Sequence, residues 1–350
     1  MQDKRYSFLC DYNEGAHPDI LQAMIDTNDE QLEGYGEDAI SLRAQDLIKE
    51  ALQDKEAEVH FVSGGTQANY IVIASALRPY ESVISASTGH IHVHETGAIE
   101  AKGHKINLIE SPSGKLSPNQ IKPVLEAHVD EHMVRPKLVY ISNSTEIGAV
   151  YTKKELVALH EFCQANDLFL FMDGARLGSA LMATGNDVKM SDLTRLTDAC
   201  YIGGTKNGAL IGEAIVLSNP VLKNYFRYHI KQNGGLLAKG RLLGIQFRTL
   251  FEKDLYYKNA AHSNAMAAKI GKALKEMGID FLNEPISNQI FPILDNQIID
   301  VLEETYQFYR WCVVDEKRTA IRLVTSWATP ETQVKKLIKI IAEMIGEKSE

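Results

Sequence analysis

Apolar and polar residues follow two different periods along the first 250 residues of the chain. Short runs rich in β-branched and aromatic residues predict strands, at positions 58–62, 82–86, 105–109, 137–142, 168–172 and 199–203. Apolar residues at helical spacing predict helices, at 38–53, 66–77, 117–128 and 153–166. Strands that alternate with helices indicate βαβ units and a mostly parallel sheet covered by helices on both faces. The pattern therefore predicts an α/β fold.

The pattern changes after about residue 250, where the predicted elements no longer alternate regularly. They are a long helix at 256–277, short strands near 287–294 and 320–325, and a last helix from 330. We therefore expect two domains: a large α/β domain over residues 1–250, which includes the N-terminal segment, and a smaller α+β domain over residues 251–350. The length of 350 residues suits two domains.

Composition and charge limit the classes of function. Apolar residues make up 45% of the chain and charged residues 24%, the balance of a globular protein with a large core. A net charge of -9 argues against nucleic acid as the main partner, and no apolar run is long enough to span a bilayer. The first fifteen residues lack the apolar core of a secretion signal. Four widely spaced cysteines form neither a CxxC pair nor a zinc spacing, so we expect reduced thiols in a cytoplasmic protein.

Basic residues are concentrated in one stretch that lacks acidic residues. Between Glu213 and Glu252 there is no Asp or Glu. The cations in this stretch are Lys223, Arg227, Lys231, Lys239, Arg241 and Arg248. Such a surface is either a solvated face or a surface that meets an anion, for example a phosphate group.

The segments that follow the predicted strands are polar and rich in glycine. The first of them, "SGGTQAN" (63–69), joins a strand to a helix, and the amide groups at such a helix start favour an anion. It matches neither the GxGxxG nor the GxxxxGK[ST] fingerprint. It is therefore either a phosphate-binding turn or an ordinary connection.

Two ionisable residues follow neighbouring buried strands. Asp173 comes directly after "LFLFM", where a carboxylate must be paired, hydrogen-bonded or used. Lys206 follows "ACYIG", 33 residues later, between small neighbours that would let an aldehyde reach its amine. An Asp that caps the next turn and a solvated Lys are the alternatives for each residue alone. In this order, and with the glycine turn, the three features predict a pyridoxal phosphate (PLP) site.

Over nearly the whole length of the chain, these motifs resemble those of the low-specificity L-threonine aldolases. That family lies in the β-eliminating lyase branch of the fold-type-I PLP-dependent, transferase-like enzymes. The segments that carry the resemblance are "CDYNEGAHPDI", "GYGEDAISLRAQD", "SGGTQANYIV", "GHIHVHETGA", "FMDGAR", "GGTKNGA", "GGLLAKGR" and "AIRLVTSW". We therefore expect PLP as the cofactor.

The resemblance implies roles for the cofactor-binding residues. Lys206 would carry PLP covalently, and Asp173 would pair with its pyridine nitrogen. The residues expected at the phosphate are Gly65, Thr66 and Gln67. His90 would stack on the ring and take part in proton transfer. A cation of "GGLLAKGR", Lys239 or else Arg241, would reach the phosphate of a neighbouring subunit.

The resemblance also implies a set of substrate-binding residues. Arg176 and Arg322 would hold the substrate carboxylate, Arg176 lying beside the cofactor as well. Tyr35, in the YGxD segment, and Cys10 are the remaining expected contacts. The family is usually a homotetramer built from tight dimers.

Three positions depart from the family pattern. Cys10 stands where a Ser is common, so its contact to the substrate would be lost or would rest on a backbone amide. Glu146 stands where some members carry a second catalytic His; it is either the base that accepts the substrate's hydroxyl proton or a residue that orders its turn. The cation of the phosphate segment is offset by about one position.

A histidine cluster invites a different interpretation. His90, His92 and His94, with Glu95, have the types of side chain that bind zinc. No second Cys/His cluster of matching spacing accompanies them, and the segment leads toward a helix. We therefore expect no metal, with ring stacking by His90 and structural roles for His92 and His94.

The function expected from the resemblance is cleavage of L-threonine, L-allo-threonine and related β-hydroxy-α-amino acids to glycine and an aldehyde. The substrate is a small amino acid, and no nucleic acid or membrane partner is expected. The alternatives are another PLP reaction on the same fold, either β-elimination of the tryptophanase or C–S lyase type or transamination, and a non-enzymatic protein. The combination of Lys206, Asp173 and Arg322 argues against the last of these.

Overall fold

The computed structural model of the chain describes residues 5–347. Its strands are β1 (Tyr6–Ser7), β2 (Glu58–Val62), β3 (Glu81–Ala86), β4 (Ile106–Ile109), β5 (Arg135–Ser142), β6 (Phe169–Asp173), β7 (Ala199–Gly203), β8 (Glu213–Leu217), β9 (Gln289–Ile290), β10 (Ile293–Asp295), β11 (Tyr306–Gln307), β12 (Tyr309–Val313) and β13 (Arg318–Val324). Its α-helices are α1 (Pro18–Asp26), α2 (Ala39–Leu52), α3 (Gly65–Ala76), α4 (His90–Val93), α5 (Pro118–Ala127), α6 (Lys153–Ala165), α7 (Leu177–Leu181), α8 (Leu193–Leu196), α9 (Pro220–Lys223), α10 (Phe226–Gln232), α11 (Arg241–Glu252), α12 (Leu255–Glu276), α13 (Asn296–Thr305) and α14 (Glu331–Glu347). Within residues 5–347, no helix has both the length and the apolar character needed to cross a membrane.

The central sheet contains strands in the order β2-β8-β7-β6-β5-β3-β4. The pairs from β7 through β6, β5 and β3 to β4 are parallel. Strand β8 is antiparallel to both of its neighbours, β2 and β7. The prediction of an α/β fold with a mostly parallel sheet is confirmed.

The strands of this sheet are buried on both faces, which explains their nearly continuous apolar sequence. Every residue of β3, β7 and β8 is buried. In β8, Ala214 and Val216 belong to one apolar cluster, while Ile215 and Leu217 belong to the cluster on the other face. With both faces covered by helices, the carboxyl edge of the parallel strands is where polar groups collect.

Capping side chains define the starts of two helices that the apolar period predicted. Asp38 precedes α2 and accepts a hydrogen bond from the amide of Ser41 at 2.8 Å. Thr152 and Glu155 form a reciprocal capping box at the start of α6. Each such cap stabilises its helix by about 1 kcal/mol, so local sequence alone determines these boundaries.

The C-terminal part of the chain forms a smaller antiparallel sheet, in which β13 pairs with β9, β10 and β12. A third apolar cluster lies against it and combines residues of α12, α13 and α14 with Phe8. Strand β1 pairs in parallel with β11 through Tyr6 and Tyr306. The N-terminal segment therefore packs on the C-terminal part, and the domain division at residue 250 stays a prediction.

Several elements were not predicted, among them β8, α10, α11 and α13. Helices α10 and α11 lack the usual start signals, because neither has a side chain that caps its first turn. Tyr225, the residue before α10, has a φ of 57°. Strand β8 follows the glycine-rich turn around Lys206 directly, without a separate boundary in the sequence.

Candidate active site

Two adjoining cavities open at the carboxyl edge of the central sheet. The first cavity, of about 280 Å³, contains Lys206 and Asp173 and reaches the start of α3. The second cavity, of about 430 Å³, extends to Arg322 on β13. Tyr12, His90, Glu146, Arg176 and Lys206 line both. The predicted site residues from five different elements thus converge on one place.

Lys206 lies in a short 3₁₀ turn, Thr205–Asn207, that follows β7. Among the described residues its amine forms no ion pair, and it lies 5.9 Å from the centroid of the Tyr12 ring. Burial lowers the pKa of Lys206, and the charge of Arg176 lowers it further, against the opposing charges of Asp11 and Asp173. An amine with a lowered pKa is more often uncharged and therefore nucleophilic.

The loops that carry Asp173 and Lys206 touch through two glycines. The amide of Gly203 donates to the carbonyl of Gly174 at 2.9 Å. A Cβ on Gly174 would lie 1.9 Å from the carbonyl oxygen of Tyr201, and a Cβ on Gly203 would lie 2.4 Å from that of Ala175. No side chain fits at either position, so close backbone packing requires glycine at both Gly174 and Gly203.

Asp173 is the last residue of β6 and is buried. Its carboxylate accepts hydrogen bonds from the hydroxyl of Tyr140 at 2.6 Å, from Asn69 Nδ2 at 3.1 Å and from the amide of Ala175 at 2.9 Å. Burial opposes its ionisation, but the charge of His90 and these hydrogen bonds together lower the pKa of Asp173. The residue therefore stays a carboxylate that can pair with a cationic group.

The glycine turn lies between β2 and α3, and Ser63, Gly64, Gly65 and Thr66 line the first cavity. Gly64 precedes α3 and has no side chain that could cap the first amides of the helix. Gln67 has a different place: its side chain accepts from the amide and hydroxyl of Ser63 and donates to the carbonyl of Asn233. Gln67 therefore fixes the shape of the turn, while Gly65 and Thr66 face the cavity.

His90 stands in the first cavity at the start of α4. Its Nδ1 lies 2.8 Å from Oε1 of Glu95, a buried residue that also accepts from Asn69 Nδ2 at 2.7 Å. Asn69 thereby connects Glu95 with Asp173. Among residues 5–347, no group of three His, Cys, Asp or Glu side chains could hold a metal ion, and the expectation of a metal-free site stays a prediction.

Glu146 lies beyond β5 and lines both cavities. Its Oε1 accepts hydrogen bonds from the hydroxyl of Ser142 at 2.7 Å and from the amide of His90 at 3.0 Å. Burial raises the pKa of Glu146; the hydrogen bond from Ser142 opposes this shift and the charge of Asp173 adds to it. Glu146 is thus a weak acid directly beside His90.

Arg176 forms a buried ion pair with Asp11, a residue that the sequence did not indicate as part of the site. Arg176 Nε donates to Asp11 Oδ2 at 2.7 Å and one terminal nitrogen donates to Oδ1 at 2.9 Å. Asn288 Nδ2 donates to the same carboxylate at 2.9 Å. Burial opposes the charge on Asp11, yet the charges of Arg176 and Lys206 lower its pKa. The sequence signal for Asp11 was its place in the segment "CDYNEG", which carries part of the family resemblance.

Arg322 enters the second cavity beside two aromatic rings. Its guanidinium carbon lies 4.8 Å from the centroid of Tyr309 and 5.3 Å from that of Trp311. A terminal nitrogen donates to the carbonyl of Leu9 at 3.2 Å, while Nε has no hydrogen-bond partner in the described structure. Burial and the charge of Arg176 lower the pKa of Arg322. The rings orient a cation whose hydrogen-bonding capacity is not fully used.

Besides Gln67, four of the predicted residues do not line these cavities within the chain. Cys10 donates through its thiol to Asn13 Oδ1 at 2.9 Å. Tyr35 is about half exposed and lies under Lys231, whose amine is 4.5 Å from the ring centroid. Lys239 and Arg241 line a separate surface cavity, with Glu30 and Glu33. Their predicted roles stay predictions.

Glu213 is a further residue of the first cavity that sequence analysis missed as a site residue. It is buried at the start of β8, and its Oε2 accepts from the amide of Gly204 at 2.9 Å. It was noticed only as the boundary of the acid-free stretch. A single acidic residue before "AIVL" gives no local signal that it points into a site.

The chain is similar to a known family and to individual proteins. The family model described as beta-eliminating lyase matches residues 8–297. A low specificity L-threonine aldolase from Pseudomonas aeruginosa is 31% identical over 350 residues, covering 99% of this chain and 100% of the relative. The solved structure of a Leishmania major threonine aldolase has 46% identity and a TM-score of 0.95, covering 97% of this chain and 99% of that one.

A more distant likeness concerns the fold. A Thermus thermophilus aspartate aminotransferase has a TM-score of 0.71 at 14% identity, with 98% of this chain and 92% of that chain covered. At this identity only the architecture is shared. The smaller C-terminal sheet and the central sheet both fall within the aligned length.

Removing the charge of Asp11 should destabilise the protein. We expect Asp11→Asn to lower the free energy of unfolding by about 3 kcal/mol, because the buried guanidinium of Arg176 loses its counter-charge. Urea unfolding followed by circular dichroism measures the change. Asp46→Asn, at an exposed position on α2, is the matched control and should stay within about 0.5 kcal/mol of the parent. Equal losses in the two variants would contradict the assignment.

Proposed function

The chain belongs to the beta-eliminating lyase family, and within this family we propose that it is a PLP-dependent aldolase. The proposed reaction cleaves L-threonine, L-allo-threonine and related β-hydroxy-α-amino acids to glycine and an aldehyde. The observation that carries the proposal is the buried amine of Lys206, which has a lowered pKa and shares one cavity with Asp173 and the start of α3. The similarity to the Pseudomonas aeruginosa and Leishmania major proteins supports the choice of substrate.

The groups present in the first cavity suit PLP. Lys206 would hold the cofactor covalently, and the ionised carboxylate of Asp173 would hold its pyridine nitrogen. Gly65 and Thr66, at the uncapped start of α3, would hold the phosphate. His90, fixed by Glu95, would lie against the ring. When bound, PLP supplies an electron sink for the bond that breaks at the α-carbon.

Arg176 and Arg322 are proposed to orient the amino acid through its carboxylate. Asp11 uses two nitrogens of Arg176, so Arg176 has one terminal nitrogen left for a ligand. Arg322 is stacked on Tyr309 and Trp311 and has its own free donor. Two guanidinium groups fixed from different sides restrict rotation of the substrate, which determines the bond that is cleaved.

The proton of the substrate hydroxyl needs an acceptor, and Glu146 is the proposed one. It is adjacent to His90, lines both cavities and has a raised pKa. A carboxylate with a raised pKa is a stronger base near neutral pH than an ordinary one. In this proposal the carboxylate of Glu146 accepts the proton. The contact with Glu95 keeps the imidazole of His90 in place.

We also propose a homotetramer built from dimers, with active sites at the dimer interface. Tyr35 and Lys239 line other cavities than the two that contain Lys206, which agrees with a role at the site of a partner subunit. The cationic stretch would then face an anion. A cytoplasmic location is proposed because all four cysteines are free, including the exposed Cys312.

The product assay tests the proposed reaction. Incubation with L-threonine should give glycine and acetaldehyde in equal amounts, since one carbon–carbon bond breaks per turnover. Pyruvate with ammonia would instead show β-elimination, and amino transfer to an added keto acid would show transamination.

Lys206→Ala should fold but lose nearly all turnover. Borohydride reduction followed by peptide mapping should place the pyridoxyl group on Lys206, and a label on another lysine would overturn that assignment.

Glu146→Gln should lower kcat by about 10²-fold while the absorbance of the bound cofactor stays unchanged, because only the proton acceptor is lost. In the parent enzyme the rate should fall as the pH drops through the raised pKa of Glu146, since the base must be deprotonated. This acidic limb should vanish in Glu146→Gln.

Ser142→Ala is the matched control for Glu146, because it removes the hydrogen bond that favours the carboxylate but keeps the carboxylate itself. The pKa of Glu146 should then rise, and the acidic limb should move to higher pH. A kcat reduced less than a few-fold in Glu146→Gln would return the role of base to His90 or to a phosphate-linked water.

Lys239→Ala should weaken PLP binding if Lys239 reaches the phosphate of a partner subunit. The loss of one hydrogen bond to a charged group corresponds to about 1.5–3 kcal/mol of binding free energy. Fluorescence titration of the apoenzyme measures the affinity, and removal of PLP should loosen the oligomer. Lys223→Ala, in the same cationic stretch but bonded to the carbonyl of Glu56, should bind PLP like the parent. Equal affinities in both variants would show that Lys239 is only solvated.

A further inference from the structure

Glu213 is a buried acid in the first cavity that the proposed reaction does not use. It is 4% exposed. In the sheet it stands opposite Val62 of β2 and Gly203 of β7, the residues from which the glycine turn and the Lys206 turn begin. Glu213 therefore lies between the two loops that would enclose the phosphate group of a bound cofactor.

The side chain of Glu213 is held by its neighbours in this position. Its Oε2 accepts from the amide of Gly204 at 2.9 Å, and it is also hydrogen-bonded with the side chain of Thr205. Its side of β8 faces the apolar cluster that contains Ile215 and Tyr201. These contacts leave the carboxyl group at the wall of the cavity.

Four ionisable groups surround Glu213, and each belongs to a different element. They are Lys206 in the 3₁₀ turn, Asp173 on β6, Tyr201 on β7 and Tyr256 on α12. Burial raises the pKa of Glu213 to about 8, although the charge of Lys206 and the hydrogen bonds from Thr205 and Gly204 oppose the shift. A phosphate that enters the same cavity adds negative charge and raises the cost of a carboxylate there.

We propose that Glu213 is a proton-binding residue of the cofactor site: it is protonated when a phosphate ester occupies the start of α3, so cofactor binding takes up a proton wherever free Glu213 is ionised. The inference rests on the proposed function, because the ligand is the phosphate group of PLP. The inference gives Glu213, on β8, a role in cofactor binding that is separate from catalysis.

Proton uptake on binding has a definite pH dependence. Since the bound state holds more protons than the free state, affinity should be constant below the pKa of free Glu213 and fall above it, by up to about tenfold per pH unit. Glutamine resembles the protonated acid and cannot ionise. Glu213→Gln should therefore bind with an affinity that no longer falls through this range.

Pyridoxine 5′-phosphate is a suitable probe, because as an alcohol it cannot react with Lys206. Its dissociation constant is measured by titration between pH 7 and 10, for Lys206→Arg and for Lys206→Arg with Glu213→Gln. The guanidinium keeps the positive charge that opposes the raised pKa of Glu213, and it removes the titration of the lysine from both chains. Between the ends of this range the affinity should fall at least tenfold more in the first chain than in the second. Equal pH profiles would overturn the inference.

Two further measurements do not depend on that comparison. Calorimetry of the Lys206→Arg chain in buffers of different ionisation enthalpy should show net proton uptake on binding above pH 8, and zero uptake there would reject the inference. In the apoprotein, a raised acid pKa means that stability falls as the pH rises from the ordinary Glu range to about 8. Glu213→Gln should reduce this fall in melting temperature, although Glu146, whose pKa is also raised by burial, still contributes to it. An unchanged fall would count against the protonation of Glu213.

Failure of the proposed function gives a different result. If neither PLP nor pyridoxine 5′-phosphate binds any variant, the cofactor assignment itself is wrong, and the loading role of Glu213 falls with it. If both bind and only the pH profiles coincide, the cofactor assignment stands and Glu213 is only a structural acceptor for the amide of Gly204.

Discussion

The buried ion pair between Asp11 and Arg176 connects three separate parts of the molecule. Arg176 follows the central strand β6, Asp11 belongs to the N-terminal segment, and Asn288 of the C-terminal part donates to the same carboxylate. A charged pair taken out of water is stable only with good geometry and additional hydrogen bonds. The pair anchors the N-terminal segment, in which the next residue, Tyr12, lies over Lys206 and lines both cavities.

The balance of charge in the two cavities favours anions. Arg176 and Arg322 provide positive charge, and Lys206 adds a third positive charge when its amine is protonated. The two carboxylates with lowered pKa values, Asp11 and Asp173, then offset only part of this charge. The two remaining acids of the cavities, Glu146 and Glu213, have raised pKa values and are more readily neutral. An α-amino acid and a phosphate ester both carry the negative charge that this environment lacks.

Sequence was a good guide wherever the physical signal is local. Apolar runs located the parallel strands, and the rule that chemistry gathers at their carboxyl ends brought Asp173 and Lys206 to one cavity. Asp11 and Glu213 could not be found in this way, because their partners are distant in sequence or are backbone amides. Strand β8 and helices α10 and α11 lack clear boundary signals. Tyr35 and Lys239 lie away from the cavities, and their location follows from tertiary packing alone.

The contact between Gly174 and Gly203 has an evolutionary consequence. Because neither position can accept a side chain, the spacing between the two loops can hardly change. Substitutions at these positions would be selected against whatever the substrate. Variation is then confined to side chains that project from this rigid frame, such as Tyr309 and Trp311. New substrate ranges can therefore arise by drift at the cavity walls, while the position of the lysine relative to the aspartate is inherited unchanged.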